Sequence, residues 1–447
     1  MNEGLVKRDL AFNWHPYTQM KDCETNPPIP IQRAEGIKLF DYDGNFYYDT
    51  ISSWWCNVHG HSHPAILEAI RTQAGRLDHI PFAGFTHEPA VRLAEQLIRI
   101  APAGLSRVFY SDNGSTAVEV ALKMALQFWS NKGRPLKTSF MSLDRAYHGD
   151  TVGAMSVSGG SAYNAAFRSI MFPSHRVPSP YCYRCPSAAE GGRCSFFCLS
   201  SAEDVLKEHS ENIAAIILEP MLMGAGGMIV YPAYYLKGMR DLARKYDVLL
   251  ILDEVATGFG RTGRMFASEH ADVEPDMMCV SKGITSGYLP LGATLVSRDI
   301  YDAFYDVHSA GKTFYHGHTY TANPVACAAA VRSIELFDEE DTLARTAEIN
   351  VTLKAFLDVA AAFPNVGDTR GIGAVGAIEM VKDKETGEPF PPDRRVGLEI
   401  YRKGLEENLV LRPLGDVIYF FLPLCAKKGE LEDIFERSAR VIASVTS

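Results

Sequence analysis

The sequence predicts an α/β protein, with a large domain built on a mostly parallel sheet and a smaller α+β domain joined to it. Three observations predict this. The runs IAAIILEP (213–220), VLLILDEV (248–255) and MMCVSKG (277–283) are apolar almost without interruption, as strands are when helices cover both faces of a parallel sheet. The intervals from Glu219 to Asp253 and from Asp253 to Lys282 each leave room for a crossover. A chain of 447 residues also exceeds what one core of ordinary size accommodates.

The elements follow in order. Residues 1–63 read as an N-terminal arm and part of the small domain; within it DYDGNFYYD (41–49) sets turn chemistry between short alternating runs and predicts a hairpin. Residues 64–330 read as the large domain. There Val118, Ala121, Leu122, Ala125 and Phe128 share one stripe at helical spacing, so 115–129 is a helix. Residues 331–447 read as the C-terminal small domain: helical pattern over 331–361, a strand over 371–381, a helix over 395–407 and a strand-like run over 409–423.

Composition narrows the function. Hydrophobic residues are 47% and charged residues 22%, a globular balance. A net charge of −10 with no basic stripe excludes nucleic acid as partner. MNEGLVKRDL mixes both charges and leads into no apolar stretch, and the apolar region from 212 to 236 is cut by Glu219, Pro220 and glycines. Neither a secretory signal nor a membrane span is expected, and a cytoplasmic location is. Of nine cysteines, Cys23, Cys56, Cys279, Cys327 and Cys425 stand singly and read as buried thiols.

Two clusters raise the question of a metal. SSWWCNVHGHSHP (52–64) alternates His59, His61 and His63, which on a strand would share a face. No carboxylate accompanies them there, and they read as turn and packing residues. Cys182, Cys185, Cys194 and Cys198 are separated by two, eight and three residues. That spacing is compatible with tetrahedral zinc or an iron–sulfur cluster, and packed reduced thiols are the favoured reading.

Three features gather at the polar ends of the core runs, where open α/β sheets bind ligands. SDNGS (111–115) opens the 115–129 helix, and Gly114 and Ser115 at a helix N-terminus present free N–H groups suited to phosphate. Asp253 closes one apolar run, a costly place for a carboxylate without a cationic partner. Lys282 follows another, beside glycines that let backbone approach a ligand. A Schiff-base lysine, an aspartate for a pyridinium nitrogen and a phosphate anchor are the groups pyridoxal 5′-phosphate requires.

ILDEVATGFGRTG, then SKG, then HGHTYTANPVACAAA, resembles the class III pyridoxal-phosphate aminotransferases over nearly the whole chain. The resemblance implies the aspartate aminotransferase fold (fold type I), with a seven-stranded, mostly parallel sheet in the large domain. It further implies that Lys282 carries the cofactor and shuttles the proton, that Asp253 keeps the pyridine nitrogen protonated, and that Tyr147 stacks on the ring. Gly114 and Ser115 then hold the phosphate, and Thr319 reaches the phosphate of a neighbouring subunit, which makes the enzyme a homodimer with shared active sites.

WHPYTQM (14–20), SSWW (52–55), YHGDT (147–151) and LRPLGDVIYF (411–420) resemble the branch of that class serving biotin biosynthesis. This branch aminates 8-amino-7-oxononanoate to 7,8-diaminononanoate. The substrate pocket implied draws on Tyr17, Trp54, Asp150, Arg261 and Arg412, with Trp55 in the core and no metal. Arginine suits a carboxylate because its planar fork reaches both oxygens. Two cues to the amino donor point in opposite directions. His318 stands where S-adenosylmethionine users more often have proline, whereas HIPFAGFTH (79–87) keeps their aromatic. S-adenosylmethionine is the expected donor, with lysine the other candidate. An ω-amino-acid:pyruvate or diamine transaminase of the same class is the alternative activity.

Overall fold

A computed structural model describes residues 2–187 and 194–446. Its centre is a seven-stranded sheet. In spatial order the strands are Leu105–Ser111, Gly292–Ser297, Met277–Val280, Leu249–Asp253, Ile213–Leu218, Ser139–Leu143 and His175–Val177. Only Gly292–Ser297 runs antiparallel to its neighbours, so the sheet is mostly parallel.

The apolar runs are buried along their full length because both faces of the sheet are covered. Ile216, Leu218, Leu250 and Leu252 pack to one side with Tyr235, Leu236 and Met239. Ile217 and Ile251 point the other way, onto Val118, Ala121, Ala125 and Phe128. Strand side chains alternate between faces, so every position here finds a core. Each fully buried aliphatic side chain contributes about 1.5–3 kcal/mol. The helix beneath them spans Gly114–Asn131 and begins in a capping box. Asn113 Oδ1 accepts from Thr116 N, and Thr116 Oγ1 accepts from Asn113 N, both at 3.0 Å.

The N-terminal hairpin forms between Lys38–Asp41 and Phe46–Tyr48. Asp41 Oδ1 closes its turn by accepting from Asp43 N and Asn45 N at 2.9 Å. The helical pattern over 331–361 resolves into two helices, Pro324–Glu339 and Thr342–Ala360. The break falls at Asp341, whose φ is +49°. The predicted strand over 371–381 divides as well. Val366–Ile372 and Val375–Met380 form a hairpin about Gly373, where φ is +57° and a Cβ would lie 2.3 Å from the Thr262 carbonyl carbon. Val417–Phe421 completes this second sheet. It is shorter than the 409–423 run because Gly415 turns the chain at φ +61°.

Among the described residues no helix is long and apolar enough to cross a membrane. Also among them, no group of three or more His, Cys, Asp or Glu side chains is arranged to hold a metal. Of the four clustered cysteines, Cys194 Sγ accepts from Tyr234 Oη at 3.1 Å, and Cys198 lies in the helix Phe197–His209; residues 188–193 of their loop lie outside the described residues.

The stretch bearing Cys182 and Cys185 is docked by charge. Glu379 accepts from Tyr181 Oη, from Arg184 Nε at 2.6 Å and from Arg370 Nη1 at 2.9 Å. Arg370 also donates to the carbonyls of Gly227 and Met228 at 2.6 and 2.9 Å. Removing one member of a buried charge network strands the others. Glu379→Ala is expected to cost about 3–5 kcal/mol of stability, measured by urea unfolding.

Candidate active site

The carboxyl ends of the parallel strands surround a cavity of about 450 Å³. Glu219, Asp253, Ser281 and Lys282 stand at or just past the ends of three neighbouring strands, and all four line it. The stretch from Tyr147 to Thr151, following the strand Ser139–Leu143, closes one side, and Gly114 and Ser115 present the helix N-terminus from another.

Asp253 is buried, and its Oδ2 lies 2.7 Å from His148 Nδ1, itself buried. Its Oδ1 accepts from Val255 N at 3.1 Å. The other imidazole nitrogen, His148 Nε2, is buried with no partner. Glu219 accepts from Tyr147 N at 3.1 Å and Gly224 N at 2.8 Å. Burial pushes its carboxyl up to about 7, with the nearby Asp253 adding to the shift and His148 opposing it.

The Lys282 amine faces the cavity and makes no hydrogen bond or ion pair with the described residues; its Nζ lies 4.9 Å from the centre of the Trp55 ring. Burial pushes this amine below its ordinary value, against the pull of Asp253 and Glu219. A lysine so placed spends more of its time neutral and nucleophilic.

At the phosphate-sized end, the Asn113 cap takes up Thr116 N and leaves the N–H groups of Gly114 and Ser115 outside the helix ladder. Ser115 Oγ accepts from Asp150 N at 3.3 Å. This contact requires Gly149, where φ is +125° and a Cβ would lie 2.0 Å from that same Oγ.

The mouth is aromatic. Tyr147 Oη lies 3.0 Å from Asp150 Oδ2 and 3.1 Å from Tyr17 Oη, and Tyr17 also donates to Asp150. Trp54 and Tyr163 each pack edge-on against Tyr17 at 5.5 Å, and the Arg412 guanidinium lies 4.4 Å over the Trp54 ring. Tyr17, Trp54, Tyr147, Asp150 and Arg412 are thus brought together.

Two of the expected residues do not line the cavity of their own chain. Arg261 is fully buried beneath the wall, its fork occupied by the carbonyls of Asn57 (3.0 Å) and Leu422. It does not line the cavity, because those backbone acceptors already satisfy the donors a carboxylate would need. Thr319 sits in an exposed turn and does not line the cavity of its own chain. Trp55, expected in the core, is buried and forms part of the cavity wall. The three histidines diverge: His59 to the Ser333 carbonyl, His61 to Asp49 and His63 to Glu340, at 2.8, 2.9 and 2.9 Å.

The sequence pattern of the aminotransferase class-III family matches residues 19–442. The chain belongs to that family. A curated class III relative from Geobacter sulfurreducens, named adenosylmethionine-8-amino-7-oxononanoate aminotransferase, is 44% identical over 439 residues, covering 98% of this chain and 97% of the relative. The crystal structure of the enzyme of that name from Methanocaldococcus jannaschii superposes with a TM-score of 0.92 at 39% identity, covering 98% of this chain and 99% of that one. The ω-transaminase from Pseudomonas jessenii, solved in complex with PMP, superposes with a TM-score of 0.94 at 33% identity over 99% of this chain and 98% of that one. Class III aminotransferases depend on pyridoxal 5′-phosphate, and this chain shares their fold.

Sequence reasoning missed His148, Glu219 and Tyr163 in this class III site. His148 sits inside YHGDT and Glu219 ends an apolar run as Asp253 does, so both had a signal; Tyr163 had none.

A second buried carboxyl beside the site gives a pH test. Glu254 accepts from Ala267 N at 3.1 Å, Ser268 N at 2.9 Å and Thr257 Oγ1 at 2.5 Å, yet burial raises it from 4.5 to about 7. Between those values the folded chain holds a proton that the unfolded chain has released, so stability falls as pH rises through that window and levels off above it. Comparing urea unfolding at pH 5 and pH 8, wild type is expected to lose about 2–3 kcal/mol relative to Glu254→Gln.

Proposed function

We propose that this protein aminates 8-amino-7-oxononanoate to 7,8-diaminononanoate, the biotin-pathway step, with S-adenosylmethionine as amino donor. The observation that carries the reading is an unpartnered lysine amine and a histidine-paired aspartate in one cavity, in a chain that matches relatives of that name over nearly its full length. The division into an arm (1–63), a large domain (64–330) and a small domain (331–447) belongs to the same reading.

The residues present fit the cofactor: an amine without a partner, a buried carboxylate with a donor behind it, and free helix N–H groups beside Ser115. Lys282 would hold it covalently, Asp253 would meet the pyridine nitrogen, and Gly114 and Ser115 would hold the phosphate. Pyridoxal phosphate supplies the electron sink that stabilises negative charge at the amine-bearing carbon.

Lys282 Nζ, whose proton burial makes easier to lose, takes the proton from the amine-bearing carbon of the substrate and returns it at the next stage. His148 Nδ1 donates to Asp253 and holds that carboxylate in place. Tyr147, fixed by Asp150 and Tyr17, forms the face against which the reacting groups lie. Trp54 and Tyr17 supply apolar surface for the long chain of the substrate, and Arg412 supplies a fork for its carboxylate.

A homodimer is part of the proposal. Thr319 is exposed outside its own cavity, and the neighbouring Tyr315 and Tyr320 are 80% and 61% exposed, large rings that a second copy would cover. Cytoplasmic placement is supported by nine free thiols. Lysine as donor remains the competing choice, favoured by His318, whose Nδ1 lies 2.9 Å from Asp112. The likeness to ω-transaminases favours a second reading, an ω-amino-acid:pyruvate or diamine transaminase.

Addition of 7,8-diaminononanoate to the cofactor-loaded enzyme is expected to convert the visible absorbance of the cofactor to that of its amino form. A response to simple ω-amines alone would select the second reading. Lys282→Ala is expected to lower turnover by at least about a thousandfold while the fold persists, checked by steady-state rate and far-UV circular dichroism.

A further inference from the structure

Ser52, Ser53, Trp54 and Trp55 are consecutive, none is glycine, and their φ angles are +49°, +45°, +78° and +75°. Trp55 N donates to Ile51 O at 2.9 Å and Cys56 N to Ser52 O at 3.0 Å. The segment is therefore one turn of left-handed helix, which L-residues resist through the clash of Cβ with the following carbonyl. Such a run persists only where its surroundings over-determine it.

The surroundings converge on Asp49. Its carboxylate is 1% exposed and accepts from Ser53 N at 2.8 Å, Ser53 Oγ at 2.7 Å and His61 Nε2 at 2.9 Å. Both oxygens are used, and two of the three donors belong to the second residue of the turn. Ser52 Oγ ties the start of the turn to the Phe421 carbonyl at 2.6 Å.

The two tryptophans depend on this turn unequally. Trp55 has its own anchors: its indole N–H donates to Tyr419 Oη at 3.2 Å and its ring stacks on Phe421 at 5.5 Å. Trp54 is 38% exposed and packs at the mouth, against Tyr17 and beneath Arg412. Releasing the turn would free Trp54 first and leave the surroundings of Lys282 in place.

We propose that Asp49 is a positioning residue, which sets affinity for the long end of the substrate by holding Ser52–Trp55 left-handed. The proposal rests on the reading above in taking 7,8-diaminononanoate as the substrate. With the cofactor-loaded enzyme and the 2-oxo acid of the donor as amino acceptor, Asp49→Asn is expected to raise the KM for 7,8-diaminononanoate about tenfold or more, the scale of a lost charge-assisted hydrogen bond. The kcat should stay within about threefold of wild type, the pattern of lost binding rather than lost chemistry. The near-UV circular dichroism of the tryptophans should change with it.

Adding Ser53→Gly to Asp49→Asn is expected to recover at least about half of the loss in KM on a logarithmic scale and to restore the tryptophan signal, since glycine adopts positive φ without strain. A KM equal to wild type in Asp49→Asn, or a loss that Ser53→Gly leaves untouched, would overturn the proposal. If Asp49→Asn does not fold, Ser53→Ala removes only the hydroxyl bond and should raise KM about threefold; no rise there would count equally against it. If wild type ignores 7,8-diaminononanoate altogether, the substrate reading fails on its own. The tryptophan signal of Asp49→Asn, with and without Ser53→Gly, then decides the role of the turn.

Discussion

Asp253 and His148, 2.7 Å apart and both buried, form the contact around which the site is arranged. A carboxylate at the end of a covered strand is shut off from water and must be met by a donor. His148 can meet it only because the chain after the strand Ser139–Leu143 turns back over the sheet edge. That return also brings Tyr147 above the cavity, Gly149 against Ser115 and Asp150 to Tyr17. The same few residues therefore satisfy the buried charge and shape the ligand space, and a change in one is felt by the other.

A second constraint comes from backbone geometry. Gly149 lets Ser115 sit beneath the stretch from Tyr147 to Thr151, where any side chain at 149 would collide with its hydroxyl. Gly373 likewise lets the second sheet turn against Thr262. At Ser52–Trp55 no glycine is present, and the left-handed path is held by hydrogen bonds from outside the turn. Glycine relieves strain at its own position but leaves the chain free to move; an external carboxylate fixes the path and with it the direction of the side chains. A wall that must aim two large rings, one inward and one at the mouth, is served by the second arrangement.

The large sheet was legible in the sequence because its signal is local. Ile213–Leu218 and Leu249–Asp253 are apolar on both faces, and the charged residue that ends each marks where the sheet meets the ligand space. Asp253, Lys282 and the Gly114–Ser115 pair could be found in the same way, from strand ends and a helix start. The mouth has no such periodic signal, since Tyr17, Trp54, Tyr163 and Arg412 come from four distant segments; family motifs point to Tyr17, Trp54 and Arg412, and nothing points to Tyr163. Arg261 shows the converse. The family resemblance implies a place for it at the substrate, whereas in the fold the backbone carbonyls of Asn57 and Leu422 take up its fork. The hairpin about Gly373 reads as one strand because only Gly371 and Ile372 of its first half adjoin the apolar run, the residues just before them being polar, and the turn is only two residues long.

Electrostatics inside the cavity follow from burial acting on opposite charges. Burial raises the Glu219 carboxyl to about 7 and lowers the Lys282 amine, so it moves both toward their neutral forms. Neutralising Glu219 removes one of the two carboxylates that would otherwise hold a proton on Lys282, and the two shifts therefore reinforce each other. Asp253 differs in having a buried imidazole donor aimed at it as well as the Val255 amide, so both of its oxygens are held in position. The result is an amine biased toward its nucleophilic form and a carboxylate fixed by two donors within one cavity, an arrangement that neither residue could achieve in water.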